Sequence, residues 1–235
     1  MRIGIFGGAP NDGTLDAMVG EARRAEAEGF HSYWVPQVFN HDALTALAVV
    51  GCEVPRIELG TSVVPTYPRH PMMLAQQALT VNAAASGRLC LGIGLSHKIV
   101  VESMWGMSFE KPVRHMREYL EVMMPLLEGK PVAHAGEEFR VSGAVQVPGG
   151  TRPNVVVAAL GEQMLKVTAA LADGTLTWCT GPQTLASHTV PTLRAAAERA
   201  GRASARVIAA LPVCVTSDRA AAAERAAKLF VIYGQ

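Results

Sequence analysis

The feature that most constrains this chain is a repeat: short runs rich in β-branched and apolar residues, each followed by a longer stretch with helical spacing. The runs begin near residues 2, 32, 57, 88, 155, 174 and 205, so the gaps are 30, 25, 31, 67, 19 and 31. RIGIF at 2–6 has strand length. Thr14 then stands where a helix cap belongs, and Leu15, Met18, Val19, Ala22 and Ala25 recur on one face until Gly29. SYWVP (32–36) precedes a helix over 43–50, and IELGTSVV (57–64) one over 71–85, whose Pro71 suits a first helical turn because the N–H it lacks is not needed there. RLCLGIG (88–94), VVVAAL (155–160) with a helix to 172, GTLTW (174–178) with a helix to 200, and ARVIAALPVCVT (205–216) complete the series.

The doubled gap holds an insertion. A helix over 112–127 carries Met116, Leu120, Met123 and Leu127 on one face, and PVAHAGEEFRVSGAVQV after it reads as a hairpin. Near-continuously apolar strands, each followed by a helix, belong to a parallel sheet covered on its outer face. With 235 residues, 49% of them hydrophobic, the chain can fill one sizeable core. The expected fold is therefore α/β, a (β/α)₈ barrel over residues 1–235 as one domain with an insertion after strand four; an open, doubly wound sheet is the rival. Seven strands are found, and the chain stops at Gln235 within a helix over 219–233. The expectation is that the eighth strand and its helix are absent from this chain; an open barrel, or one completed by another chain, would leave or displace two unpaired sheet edges.

Composition then removes several function classes. Lys plus Arg number 21 against 20 Asp plus Glu, so a net charge of +1 gives no field toward nucleic acid or an anionic membrane. One of the richest apolar stretches, 205–215, contains Arg206 and Pro212 and falls short of the roughly 20 residues a bilayer requires. RIGIFGG directly after Met1 is not a signal peptide, so a cytoplasmic protein acting on a small molecule is expected. Cys52, Cys90, Cys179 and Cys214 match no paired motif and are expected to be buried, reduced thiols. The histidines show no HExxH, so no metal is expected, and GLSH lacks the second glycine of a GxSxG nucleophile elbow.

In a barrel of this class chemistry sits at the C-terminal ends of the strands. Gly7 and Gly8 end strand one and allow either close approach of a flat ligand or a tight turn. Gln37 and Val38 follow strand two. Thr61 and Ser62 interrupt strand three near its exit, which suggests a bulge. GIGLSHK ends strand four with His97 where a dinucleotide fingerprint would place its third glycine, leaving Ser96 and His97 as the best polar pair at any strand end. After strand five, Gly161 opens a helix whose free N–H groups suit a phosphate. Strand six ends at Trp178, Cys179, Thr180 and Gly181; the indole can stack on a ring or fill the core.

RIGIFGG, EAEGFHSYWVPQ, RHPMMLAQQA followed by SGRLCLGIG, and AALGEQMLKVTAALADGTLTW together resemble the bacterial luciferase-like family of flavin and deazaflavin oxidoreductases. SHK with WGMSFEKP and REYL is similar to the actinobacterial branch that uses coenzyme F420. The resemblance implies a deazaflavin across the barrel mouth, with FMN as the alternative, and a cis Ser62–Val63 bond that sets Val63 behind the ring. Its phosphate would lie against Ala159, Leu160, Gly161, Glu162, Gln163 and Met164 and against Cys179, Thr180 and Gly181. A homodimer is the implied assembly. Members that oxidise sugar phosphates place a His after strand two and a Glu after strand four, where this chain has Val38 and Leu95. Lacking that base and acid, it is expected to reduce an activated C=C or C=N bond, with His97 or Ser96 as proton donor. An FMN-dependent monooxygenase and a non-catalytic flavin-binding barrel are the competing expectations.

Overall fold

The computed structural model describes residues 1–7, 13–203 and 205–230. In chain order the elements are β1 (Gly4–Phe6), α1 (Leu15–Ala27), β2 (Ser32–Val35), α2 (Ala43–Glu53), β3 (Glu58–Thr61), β4 (Val64–Pro65), α3 (Pro71–Ala84), β5 (Leu89–Gly94), α4 (Pro112–Leu127), β6 (Val132–Ala135), β7 (Arg140–Gly143), β8 (Asn154–Ala158), α5 (Glu162–Leu171), β9 (Gly174–Trp178), α6 (Pro182–Thr184), α7 (Val190–Arg199), β10 (Arg206–Ala210) and α8 (Arg219–Phe230). The main sheet runs β1-β2-β3-β5-β8-β9-β10 with every pairing parallel, and β4 adds to β5.

Two contacts show how far the sheet curls. Arg206 at the start of β10 makes a bidentate ion pair with Glu58 at the start of β3, at 2.7 and 2.9 Å. Phe6 in β1 and Trp178 in β9 bring their ring centroids to 5.6 Å. Strands far apart in the sheet order meet only if the sheet is nearly closed into a barrel, so the open doubly wound alternative is set aside.

The local sequence accounts for the elements. Thr14 Oγ1 accepts from Ala17 N at 3.2 Å to cap α1, and Asp42 Oδ1 accepts from Thr45 N at 2.9 Å to cap α2. Alternate strand residues face two cores. Tyr33, Val35, Leu59, Leu91, Val155 and Val157 pack outward under the helices, whereas Trp34, Cys90, Val156 and Leu176 fill the barrel lumen with Val63 and Ile208 against them. Trp34 has room because its neighbour in register is Gly60, where a Cβ would overlap the indole.

The insertion after β5 contains a π-helical turn over Val100–Met104, then α4 and the antiparallel hairpin β6–β7. Met116, Leu120, Met123 and Leu127 are all buried, as their spacing predicts. Glu118 holds the hairpin to α4 by accepting the backbone N–H groups of Glu137, Glu138 and Phe139 at 3.1, 2.8 and 3.0 Å.

The structure corrects four expectations. The run 57–64 is not one strand, because a cis Ser62–Val63 bond separates β3 from β4. The run 205–216 pairs only over Arg206–Ala210, where β9 supplies partners as far as Trp178; Pro212 beyond it has no N–H to donate. The helix expected to run to residue 200 is broken into α6, a π-helical turn over Leu185–Thr189, and α7, with Pro191 in the first turn of α7 unable to donate. Only Cys90 is a buried thiol; Cys52, Cys179 and Cys214 lie on an outer helix, a strand-end loop and the stretch after β10, and are exposed. Among the described residues no helix is long and apolar enough to cross a membrane.

Candidate active site

The C-terminal strand ends bring most of the sequence-predicted residues to one end of the barrel. Gly7 continues β1 and donates its N–H to Trp34 O at 2.9 Å. A Cβ there would run into the Tyr33 ring, so glycine is required by the protein itself. Gly8 lies outside the described residues. Gln37 is committed to a neighbouring helix, its Oε1 accepting from Ala43 N at 2.7 Å.

At the break between β3 and β4 the fully buried Thr61 replaces a stretch of ladder, its Oγ1 donating to Gly92 O and accepting from Gly92 N, both at 2.8 Å. That hydroxyl has no hydrogen left to donate to a ligand, and the side chain is fully buried. Ser62 donates its N–H to Val35 O at 2.8 Å, and its residue lines the lumen cleft described below. Val63 turns into the barrel over strand β5: a Cβ on Gly94 would stand 2.7 Å from Val63 Cγ2, and one on Gly92 would overlap the Thr61 carbonyl oxygen. The two glycines of GIG are therefore explained by the approach of the β3–β4 break rather than by a phosphate.

Beyond β5, Ser96 adopts a left-handed backbone (φ 66°), and the exposed His97 follows it. The His97 carbonyl accepts from Val100 N and Val101 N at 2.9 and 3.0 Å, which starts the π-helical turn. Nearby, buried His115 stacks on Tyr67 with centroids 4.1 Å apart and shares a 3.0 Å hydrogen bond with Thr66 Oγ1. Burial pushes the His115 pKa down to about 4 despite Glu138 and Glu118, and burial with Glu138 pushes the Tyr67 phenol up to about 12. Both groups are neutral at physiological pH.

The loops after β8 and β9 form the other half of the mouth. Ala159 and Met164 are buried in the core, so either can meet a ligand only through its backbone, whereas Leu160, Gly161, Glu162 and Gln163 are exposed. Gly161 caps α5 with no side-chain bond, and a Cβ on it would meet no atom within 4 Å. Packing does not require a glycine there, unlike at Gly7, Gly60 or Gly92. The Glu162 carboxylate turns back to Lys166 at 2.7 Å, whose hydrogen bond and charge hold it below the usual carboxylate range. It therefore leaves the first-turn N–H groups uncapped. His188, in the π-helical turn before α7, has its Nε2 3.0 Å from Leu160 O and so ties the loop after β9 to the peptide preceding Gly161. Cys179 has a left-handed backbone (φ 55°) and donates its N–H to Ala210 O at 2.9 Å; Thr180 is buried and Gly181 opens α6.

A cleft of about 530 Å³ runs along β1 and β10, the two outer strands of the sheet, from Met1, Arg2 and Arg206 at one end of the strands to Leu211 at the other, with Phe6, Trp34, Ser62, Trp178 and Ile208 also lining it. The half-buried Trp178 indole packs on Phe6, and its buried Nε1 has no hydrogen-bond partner among the described residues. Sequence reasoning missed Phe6, Trp34 and His188. The first two sit inside strand runs whose alternation marks them as core, and no local signal marks His188.

Comparison with known proteins follows the same lines. A relative from Archaeoglobus fulgidus named 5,10-methylenetetrahydromethanopterin reductase is 34% identical over 154 residues, 65% of this chain and 46% of that protein. A Mycobacterium tuberculosis protein provisionally named a coenzyme F420-dependent oxidoreductase is 28% identical over 239 residues, 94% of this chain and 68% of its own length. The solved structure of the coenzyme F420-dependent tetrahydromethanopterin reductase from Methanopyrus kandleri superimposes with a TM-score of 0.76 at 25% identity, covering 91% of this chain and 65% of that one. The chain thus spans about half to two-thirds of the length of these proteins. The family described as luciferase-like monooxygenase matches residues 1–234, so the chain belongs to that family.

Proposed function

We propose that this chain is the catalytic barrel of an oxidoreductase that holds a phosphate-bearing deazaflavin, coenzyme F420, at its mouth and moves hydride between it and a small organic substrate. The observation that carries this reading is the start of α5, where Gly161 has open space and no side-chain cap at the same end of the barrel as Ser62, Val63 and Trp178. The donor set suits a phosphate: N–H groups of the first turn of α5 aligned with the helix dipole, with Thr180 and Gly181 on the adjoining loop. Val63 supplies an apolar floor, and the unpartnered Trp178 Nε1 offers a further donor inside the cleft. When bound, the deazaflavin supplies a carbon that carries hydride. The protein positions it, excludes water and delivers a proton, a role given to His97 or Ser96 on the loop after β5.

Val38 and Leu95 stand where sugar-phosphate oxidisers carry their base and acid, which favours reduction of an activated C=C or C=N bond over alcohol oxidation. Relatives named as a reductase and as a coenzyme F420-dependent oxidoreductase support the same cofactor class. The second reading, an FMN-dependent monooxygenase, is favoured by the family's own description, and the same floor and phosphate turn would serve it. Anaerobic mixing of the protein with reduced F420 and a panel of enones and imines separates the two. The proposal expects acceptor-dependent return of the oxidised deazaflavin absorbance, reduced in His97→Ala or Ser96→Ala. Oxygen consumption with reduced FMN, and no turnover with the deazaflavin, would favour the second. Absence of turnover with both would leave a binding barrel.

A further inference from the structure

We propose that His188 is a positioning residue for the cofactor phosphate, an inference that rests on the phosphate turn proposed above. Three observations point to it. His188 is the side chain that bridges the two loops of the proposed anion site, its Nε2 lying 3.0 Å from Leu160 O. Leu160 immediately precedes Gly161, so this bond fixes the peptide plane from which α5 starts, at a helix end that no side chain caps. His188 also belongs to a π-helical turn, Leu185–Thr189, and such turns re-aim side chains within otherwise regular helices. The other π-helical turn among the described residues, Val100–Met104, follows β5 at the same end of the barrel.

The chemistry follows from the acceptor. A carbonyl oxygen only accepts, so Nε2 carries the hydrogen and His188 donates to Leu160 O, in the neutral as in the protonated ring. The bond orients the Leu160–Gly161 peptide. The charged groups around it are Glu162 and Lys166 on α5 and Arg199 on α7. Glu162 and Lys166 neutralise one another, so the phosphate is met by backbone N–H groups, whose direction His188 fixes through Leu160 O, rather than by a lysine or arginine fork. The ligand class that fits is a single phosphoryl group on an extended polyol chain.

The test compares F420 with a deazaflavin lacking the side-chain phosphate, both titrated into wild-type protein, His188→Ala and His188→Gln. Loss of one hydrogen bond that orders the turn predicts roughly tenfold weaker F420 binding by His188→Ala. Affinity for the phosphate-free deazaflavin should stay unchanged. His188→Gln, which can still donate to Leu160 O, should recover most of the loss. Equal weakening of both ligands would indicate a merely structural histidine and overturn the assignment, as would no weakening of either. If wild-type protein binds the two deazaflavins equally well, the phosphate turn itself is refuted and His188 loses its role with it. That outcome is distinguishable because it requires no variant.

Discussion

Gly161→Pro is the sharpest single perturbation of the proposed phosphate turn. Gly161 has φ −74° and ψ 147°, and proline holds φ near −65°, so the ring fits the existing backbone. A Cβ meets no atom within 4 Å there, and the carbonyl that begins the helix, accepting from Leu165 N at 3.0 Å, is untouched. The folded state should therefore be nearly unaffected. Restricting the unfolded chain should even stabilise the protein by about 0.4–1 kcal/mol. On the proposed reading, what the substitution removes is one N–H facing the cofactor phosphate. A hydrogen bond to a charged group contributes about 1.5–3 kcal/mol, which corresponds to a roughly tenfold to hundredfold rise in Kd. Gly161→Ala keeps the N–H and serves as the control. Titration by deazaflavin fluorescence gives the affinity, and thermal melts give the stability. An unchanged Kd in Gly161→Pro, with an unchanged melting temperature, would refute the assignment of this turn to the phosphate.

Further predictions concern the scaffold beneath the site. His115 is driven to a pKa of about 4 by burial, against 6.5 for the exposed ring. The unfolded chain then binds the extra proton first, so stability falls as pH drops from about 6.5 toward 4, by on the order of 2–3 kcal/mol from this group. Urea unfolding at pH 7 and pH 4.5 should show a smaller fall for His115→Gln than for wild type; equal falls would contradict the buried neutral imidazole. Gly92→Ala drives a Cβ into the Thr61 carbonyl and should cost at least about 2 kcal/mol, since backbone rather than a flexible side chain must move; a wild-type urea midpoint would refute the close approach. Glu118→Gln disturbs a carboxylate that accepts three backbone N–H groups and should cost about 1–3 kcal/mol, with faster amide exchange at Glu137, Glu138 and Phe139. Exchange at those amides no faster than in wild type would show that the hairpin is held by other contacts.

What was legible in the sequence follows from which forces act locally. Helix α4 matches its predicted span over Pro112–Leu127, because a 3.6-residue apolar stripe and a proline at the first turn are both encoded within the segment itself. The spacing of strands gave the parallel barrel, and the polar pair Thr61 and Ser62 marked the break in strand three. Roles that depend on distant neighbours were hidden. Thr61 is bonded to Gly92, 31 residues away, and Gln37 accepts from the first N–H of α2. Each was a fair ligand candidate on residue type alone; the partner was set by tertiary packing. The place of Gly161 at a helix start was legible for the opposite reason: the apolar spacing that follows it lies within the segment itself. The contact of His188 with Leu160 spans 28 residues and two connections, and no periodicity reports it.

Side-by-side titration of the purified protein with oxidised F420 and FMN, at matched ionic strength and followed by absorbance and protein fluorescence, tests the central claim most directly. The account predicts saturable, one-to-one binding of F420 with a lower Kd than FMN, and weakening of that binding in Gly161→Pro. Stoichiometric FMN in the purified protein, together with no detectable binding of the deazaflavin, would contradict it.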